Sequence, residues 1–329
     1  MSNLFICSTP LQLKIAIKII EYKKFDKKRT DIIYYFWNND KAKVAKFINN
    51  KSNIKIIKIN ISQKFPYYIF FLKKKLSNLK YNNIFIASYI GRIGQIMLNI
   101  ILFKNLFFFS DGSLNLFDKK MQYKLDKLAE IKYKKIIYKL TDKFFNYKSI
   151  TSLKKLVTTE YTIYPIKNIK KYKYIFLKNF WEDAFGQTSS IKYKKKVKKK
   201  ILKVFIGTVW KEFCKNLQIE NFQNIKNRLR EFLKNEKIDI YINHPRANKI
   251  NFKNVKSFNI PSIAEEFILQ KKINYKKIYV YGICGSTTLF NLSDIRDLKM
   301  NMVVFFQRNK YENAYIKLAK KFKIKTIKI

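Results

Sequence analysis

The stretch Leu4–Lys23, LFICSTPLQLKIAIKIIEYK, decides the fold. Leu4–Cys7 is a short apolar run that reads as a buried strand, and Ser8-Thr9-Pro10 supplies an N-cap and a first-turn proline. A helix is predicted from about Leu11 to Lys23. Further strands are expected at Ile32–Phe36, Ile54–Ile59, Ile84–Ala87 and Leu106–Phe109, separated by amphipathic, Lys-rich stretches at the spacing of βαβ units. A second set runs through Lys203–Ile206, Ile238–Ile242, Ile278–Tyr281 and Asn301–Phe305. The sheet pattern therefore occurs twice. Between the sets, Gly186–Lys200 (GQTSSIKYKKKVKKK) is polar and ends in a lysine cluster that repels itself and stays solvated. The expected division is an N-terminal Rossmann-like domain over 1–186, a basic linker over 187–200 and a C-terminal Rossmann-like domain over 201–329. Two α/β domains facing each other across a cleft hold ligands beyond the carboxyl ends of their strands, so chemistry is sought there.

Composition narrows the function. The 329 residues are 47% hydrophobic and 16% aromatic, with seven glycines and five prolines, which excludes a disordered or collagen-like chain. Seventy basic against 22 acidic residues leave a net charge of +48. Two readings fit that charge: lysines filling solvated positions under a coding bias toward Lys, Asn, Ile, Phe and Tyr, or a basic face for a phosphate-bearing substrate or an anionic leaflet. No RNP-like, zinc-finger or KH pattern accompanies it, so nucleic acid is not an expected partner. Cys7, Cys214 and Cys284 are widely spaced and form no CxxC pair, which suits a reducing compartment. The N-terminus reads as a strand rather than a secretion signal, and the apolar run Ile96–Phe109 is broken by Asn99, Lys104 and Asn105, so membrane contact is expected to be peripheral.

Four places carry chemistry. His244, the single histidine, follows Ile238–Ile242 within Asn243-His244-Pro245-Arg246. With an ordinary pKa of ~6.5 it can donate a proton near neutrality, while Pro245 fixes the backbone and Arg246 offers a permanent cation. Ser110-Asp111-Gly112-Ser113 presents a carboxylate after the apolar Leu106–Phe109, as a general base or simply as a turn-closing residue. Gly285-Ser286-Thr287-Thr288 follows Ile278–Tyr281 and offers hydroxyls to a phosphate, or an ordinary helix cap. Glu265 and Glu266 open a helix, where they favour its dipole or bind a ribose diol. The sequence contains no GxxxxGK[ST], no GxGxxG and no DxD, and its carboxylates are not grouped for magnesium or zinc. A sugar donor with a single phosphate, neutralised by His, Arg and hydroxyls without a metal, fits this inventory, and CMP-activated sugars are such donors.

These residues resemble glycosyltransferase family 52, the bacterial lipooligosaccharide sialyltransferases. Thr9-Pro10-Leu11-Gln12 looks like the family's N-terminus, Ser110-Asp111-Gly112 like its [DE]DG element, and Glu160-Tyr161-Thr162-Ile163-Tyr164 like its HYTI-type segment. Phe205-Ile206-Gly207-Thr208 opens the second domain as in the family. His244-Pro245-Arg246, Ala264–Leu269 and Ser286-Thr287 resemble the HP motif, the ribose-binding acidic helix and the Ser/Thr pair. The resemblance implies a GT-B fold, with CMP-sialic acid bound mostly by the second domain and a lipooligosaccharide galactose by the first. Asp111 would deprotonate the acceptor and His244 would protonate the departing phosphate. Ser286 and Thr287, beside Gly285, would hold that phosphate and Glu265 the ribose. The reaction would invert the anomeric centre, with no metal or other cofactor, at the cytoplasmic face of the inner membrane; a homodimer is compatible with it.

The sequence departs from the family in two places. Ser110 replaces the first carboxylate of the acidic pair, and Trp210 stands about where some members carry an aspartate after Gly207-Thr208, leaving Glu212 as the alternative base. The rival readings are a family member using another nucleotide-sugar donor and a non-enzymatic basic RNA- or lipid-binding protein.

Overall fold

The computed structural model describes residues 1–37, 53–63, 65–88, 90–112, 116–117, 132–164, 173–181, 199–217, 222–244, 247, 250–252, 255–260, 263–305 and 310–329. The polypeptide divides into two compact units, Met1–Asp111 with Glu130–Phe180, and Gly112–Ala129 with Trp181–Ile329. The chain thus passes to the second unit directly after Asp111, and Phe117 packs its ring edge-on against Tyr315 at 5.0 Å within that unit. Residues 187–198 of the expected linker lie outside the described residues, while Lys199 and Lys200 are the first residues of a strand.

The first unit contains β1 (Asn3–Cys7), α1 (Pro10–Tyr22), β2 (Thr30–Trp37), β3 (Lys55–Ile61), α2 (Tyr67–Leu76), β4 (Lys80–Ala87), α3 (Arg92–Ile100), β5 (Leu102–Ser110), α4 (Lys132–Phe144), α5 (Ile150–Lys155), β6 (Val157–Thr162) and β7 (Lys173–Phe176). Its sheet runs β3-β2-β1-β4-β5-β6-β7, parallel throughout. The second unit contains β8 (Lys199–Ile206), α6 (Trp210–Leu217), α7 (Phe222–Asn235), β9 (Ile240–Ile242), β10 (Lys256–Phe258), α8 (Ala264–Lys272), β11 (Tyr275–Ile283), α9 (Thr287–Asn291), β12 (Leu298–Val304), α10 (Lys310–Lys321) and β13 (Lys325–Lys328). Its sheet runs β10-β9-β8-β11-β12-β13, again all parallel. Both sheets begin in their middle and reverse direction beside their first strand, the doubly wound order whose switch point receives ligands.

Local chemistry explains the opening unit. Thr9 has an extended backbone and accepts from the Gln12 backbone N–H at 3.2 Å, and Pro10 fills the first helical position, where no donor is needed. Every residue of β1 is buried, as expected of a strand covered on both faces. Leu4 and Ile6 join Ile33, Ile84, Ile86, Leu106 and Phe108 in one core cluster. On the other face the rings of Phe5, Phe85 and Phe107 stack from strand to strand, with centroids 4.4 and 4.7 Å apart. This stack ties together three strands whose carboxyl ends carry Ser8, Ser88 and Ser110-Asp111.

Candidate functional site

In the second unit a cavity of about 380 Å³ opens at the switch point between β8 and β11. Gly207, Thr208, His244, Glu265, Gly285, Ser286 and Thr287 all line it, whereas Glu266, named from the sequence beside Glu265, does not. Pro245 and Arg246 lie outside the described residues.

Each wall has a local cause. Gly207 directly follows β8, with its N–H bonded to the Ile242 carbonyl at 2.8 Å. A Cβ at Gly207 would come within 2.7 Å of the Tyr241 hydroxyl and 2.8 Å of the Ile242 carbonyl, so this close approach requires glycine. The Tyr241 ring stacks on Phe205 at 5.6 Å, its hydroxyl accepts from the Trp210 indole N–H at 3.2 Å, and burial pushes its pKa up to about 12. Trp210 therefore braces Tyr241 behind Gly207 and is buried, while Glu212, two residues further along α6, is exposed and lines the cavity.

His244 projects from the turn after β9. Asn243 pins this turn: its N–H bonds to the Phe258 carbonyl at 2.9 Å, and its buried side-chain oxygen accepts from the Ile250 N–H at 3.2 Å. Opposite, Gly285 has φ +86°, in the left-handed region, and a Cβ there would lie 2.7 Å from the Tyr311 hydroxyl. Ser286 starts α9 without a side-chain capping bond, so the reading of its hydroxyl as an ordinary helix cap does not hold. Glu265, in the first turn of α8, is buried and accepts from the Asn291 side-chain amide at 2.7 Å. Cys284 also faces the cavity; burial, and then the buried Glu312, hold its thiol pKa well above the ordinary value. Both favour the neutral thiol over the thiolate.

Asp111 belongs to the first unit. Its carboxylate accepts from the Gln12 side-chain N–H at 2.7 Å, and the other end of that amide accepts from the Ser8 backbone N–H at 2.6 Å and the Ser8 hydroxyl at 3.1 Å. The Ser8 bonds fix which end of Gln12 faces Asp111. Burial first, and the Asp111 charge second, raise the Cys7 thiol pKa far above its usual range. Beside Asp111, the fully buried Ser110 hydroxyl donates to the Glu160 carboxylate, which β6 brings alongside. Burial raises the pKa of Glu160.

The chain is 28% identical over 312 residues to the N-acetyllactosaminide alpha-2,3-sialyltransferase of Haemophilus influenzae, covering 88% of each. It is 26% identical over 313 residues to the CMP-N-acetylneuraminate:beta-galactoside alpha-2,3-sialyltransferase of Pasteurella multocida, covering 89% of this chain and 88% of that one. The chain is a homologue of bacterial α-2,3-sialyltransferases. The resemblance read from its motifs is thereby borne out, and so is the assignment as a glycosyltransferase. No protein-family model matches the chain. Among solved structures, S. aureus MnaA with UDP superposes with a TM-score of 0.50 at 12% identity, covering 98% of this chain and 88% of that one. The GT-B domain of the Photobacterium damselae sialyltransferase gives 0.46 at 12% identity, covering 99% and 100%. The first of these shares the fold of two parallel, doubly wound α/β sheets.

In this sialyltransferase homologue the sequence reading missed Asn291, and it quoted Gln12 and Glu160 without giving either a role. All three contact another named side chain: Asn291 bonds to Glu265, Gln12 to Asp111 and Glu160 to Ser110. Only the Ser110–Glu160 pair left a mark in the motifs, because a residue without charge stands in the acidic element while a carboxylate opens the Glu160–Tyr164 segment.

Proposed function

We propose that this chain is an inverting, metal-independent sialyltransferase that moves sialic acid from CMP-sialic acid to a terminal galactose of a lipooligosaccharide, forming the α-2,3 linkage named in both relatives. The observation that carries the reading is the single cavity joining an imidazole, two hydroxyls, a left-handed glycine and a buried carboxylate at the switch point of the second sheet. A cytidine monophosphate needs these groups: donors for one phosphate and an acceptor pair for a ribose diol.

In the proposed reaction Glu265 accepts from the ribose hydroxyls, and Ser286 and Thr287 donate to the phosphate. Asp111 removes the acceptor hydroxyl's proton as that oxygen bonds to the anomeric carbon. The bond from that carbon to the phosphate oxygen breaks through an oxocarbenium-like transition state, and His244 donates its proton to the leaving phosphate. Direct displacement inverts the centre. A second assignment of the base, to Glu212, is favoured by its place on the same cavity wall as His244. The basic surface would hold the enzyme to the anionic cytoplasmic leaflet.

The test is incubation with CMP-sialic acid and a labelled lactoside, with and without EDTA. Released CMP and a sialylated product, unchanged by the chelator, are expected. Turnover of a UDP-sugar in place of CMP-sialic acid would transfer the chain to the hexosyltransferase reading, and salt-sensitive binding without any turnover would leave only a basic binding protein.

A further inference from the structure

We propose that Tyr311 is a further donor-binding residue, whose phenol hydroxyl donates to the phosphate held by Ser286 and Thr287. The inference rests on the reading of the second-unit cavity as a nucleoside monophosphate site. Positive charge is scarce there. The chain carries 70 basic residues, yet among the described residues that line the cavity His244 is the single basic side chain, and Glu212 and Glu265 line it too. An anion seated in this cavity has to be met largely by neutral donors, so each hydroxyl on its wall matters. Tyr311 brings such a hydroxyl from outside the turn that joins β11 to α9.

Local structure fixes where that hydroxyl stands. Tyr311 is the second residue of α10, which follows β12, and β12 lies beside β11 in the sheet. The adjacent Glu312 is fully buried and accepts the Phe305 backbone N–H at 2.8 Å, pinning the first turn of α10 to the end of β12. The Tyr311 ring packs on Tyr315 with centroids 5.0 Å apart. Tyr315 is buried in turn between Phe117, edge-on at 5.0 Å, and Phe290 of α9 at 6.2 Å. A side chain held at its base and along its ring loses little further freedom when a ligand arrives.

The polar end of this ring meets Gly285. A Cβ there would lie 2.7 Å from the Tyr311 hydroxyl, whereas the next nearest atom, on the Tyr315 ring, would be 3.5 Å away in ordinary contact. The phenol thus takes the space that a side chain at position 285 would fill. Gly285 leads directly into Ser286, whose hydroxyl makes no capping bond, so phenol and serine hydroxyls stand on either side of one glycine. Packing on Tyr315 alone would be served by phenylalanine. A hydroxyl set against a turn of small residues, on the wall of a cavity, suits a ligand rich in acceptor oxygens.

The test is calorimetric titration of wild type and Tyr311→Phe with CMP and UMP, and with cytidine by competition. The variant keeps the ring and removes the donor; thermal unfolding is followed alongside to show that it is folded. We expect CMP to bind the variant about tenfold more weakly, and cytidine, which has no phosphate, to bind within about twofold of wild type. Equal CMP affinity in the two proteins overturns the proposal. So does a parallel loss of CMP and cytidine, which would make the hydroxyl a support of the cavity wall and not a contact of the phosphate. Wild type that binds UMP but not CMP, with the same tenfold loss in the variant, would leave the phosphate contact standing and refute CMP-sialic acid as the donor. The expected difference in a chain that transfers no sialic acid would refute the enzymatic reading alone. Wild type that binds none of the three ligands overturns both.

Discussion

Asn291 donates its side-chain amide to Glu265 at 2.7 Å, and the two side chains are buried together where α8 meets α9. This bond sets the direction of the carboxylate assigned to the ribose. Asn291→Ala is expected to raise the KM for CMP-sialic acid about tenfold with little change in kcat, and to lower the unfolding midpoint, since an unsatisfied buried acceptor costs ~1–3 kcal/mol. Asn291→Asp, which sets a second carboxylate against the first, should be worse. Steady-state kinetics at varied donor decide it; an unchanged donor KM removes the positioning role.

His244→Ala should lower kcat by ~10²–10⁴-fold while CMP binding by calorimetry stays close to wild type. The chain has no other histidine, so a single set of imidazole signals in the NMR spectrum should shift when CMP is added. Full turnover by the variant would end the assignment of the acid.

The base is a contest between Asp111, held by Gln12, and Glu212, on the cavity wall. Asp111→Asn should abolish most turnover and Glu212→Gln should be mild. Gln12→Leu, which removes the amide holding Asp111, should give an intermediate loss in kcat. The reverse ranking of the first two variants would move the base to the second unit.

At Gly285 the left-handed backbone and the Tyr311 hydroxyl both resist a side chain. Gly285→Ala should cost ~1–3 kcal/mol of stability and weaken CMP binding. Adding Tyr311→Phe relieves the crowding but not the backbone, so only part of the loss should return. Chemical denaturation of the single and double variants measures the split.

Glu160 carries a stability signature. Its pKa is raised in the folded protein by burial, so the folded state holds a proton that the unfolded state releases. Its contribution is fully favourable below the ordinary carboxylate value of 4.5 and is lost as pH rises through the elevated folded value. Glu160→Gln should therefore flatten this decline and be relatively more stable than wild type toward neutral pH. Urea midpoints across that window test it, and parallel pH curves would contradict it.

Strands covered on both faces carry apolar runs, and those within β1, β2, β4, β5, β8, β11 and β12 made them legible, whereas β6 (VTTEYT), which also pairs on both sides, is mostly polar and was not. The shorter strands were not. β7 (KYIF), β10 (KSF) and β13 (KTIK) pair along one side only, so water tolerates their lysines and no period stands out. β9 was read two residues too long because Ile238 is buried in the turn before it. At the site, His244, Glu265 and Ser286 could be found because strand ends and helix starts mark them. Asn291 and Gln12 could not, since their partners lie 26 and 99 residues away in sequence and only folding brings them together.

The three stacked rings of Phe5, Phe85 and Phe107 give the turn bearing Asp111 an unusual foundation. Flat side chains locked face to face leave neighbouring strands little freedom to slide, so the carboxylate sits on a stiff deck and keeps its aim between turnovers. Any motion that substrate binding demands is then expected outside these three strands.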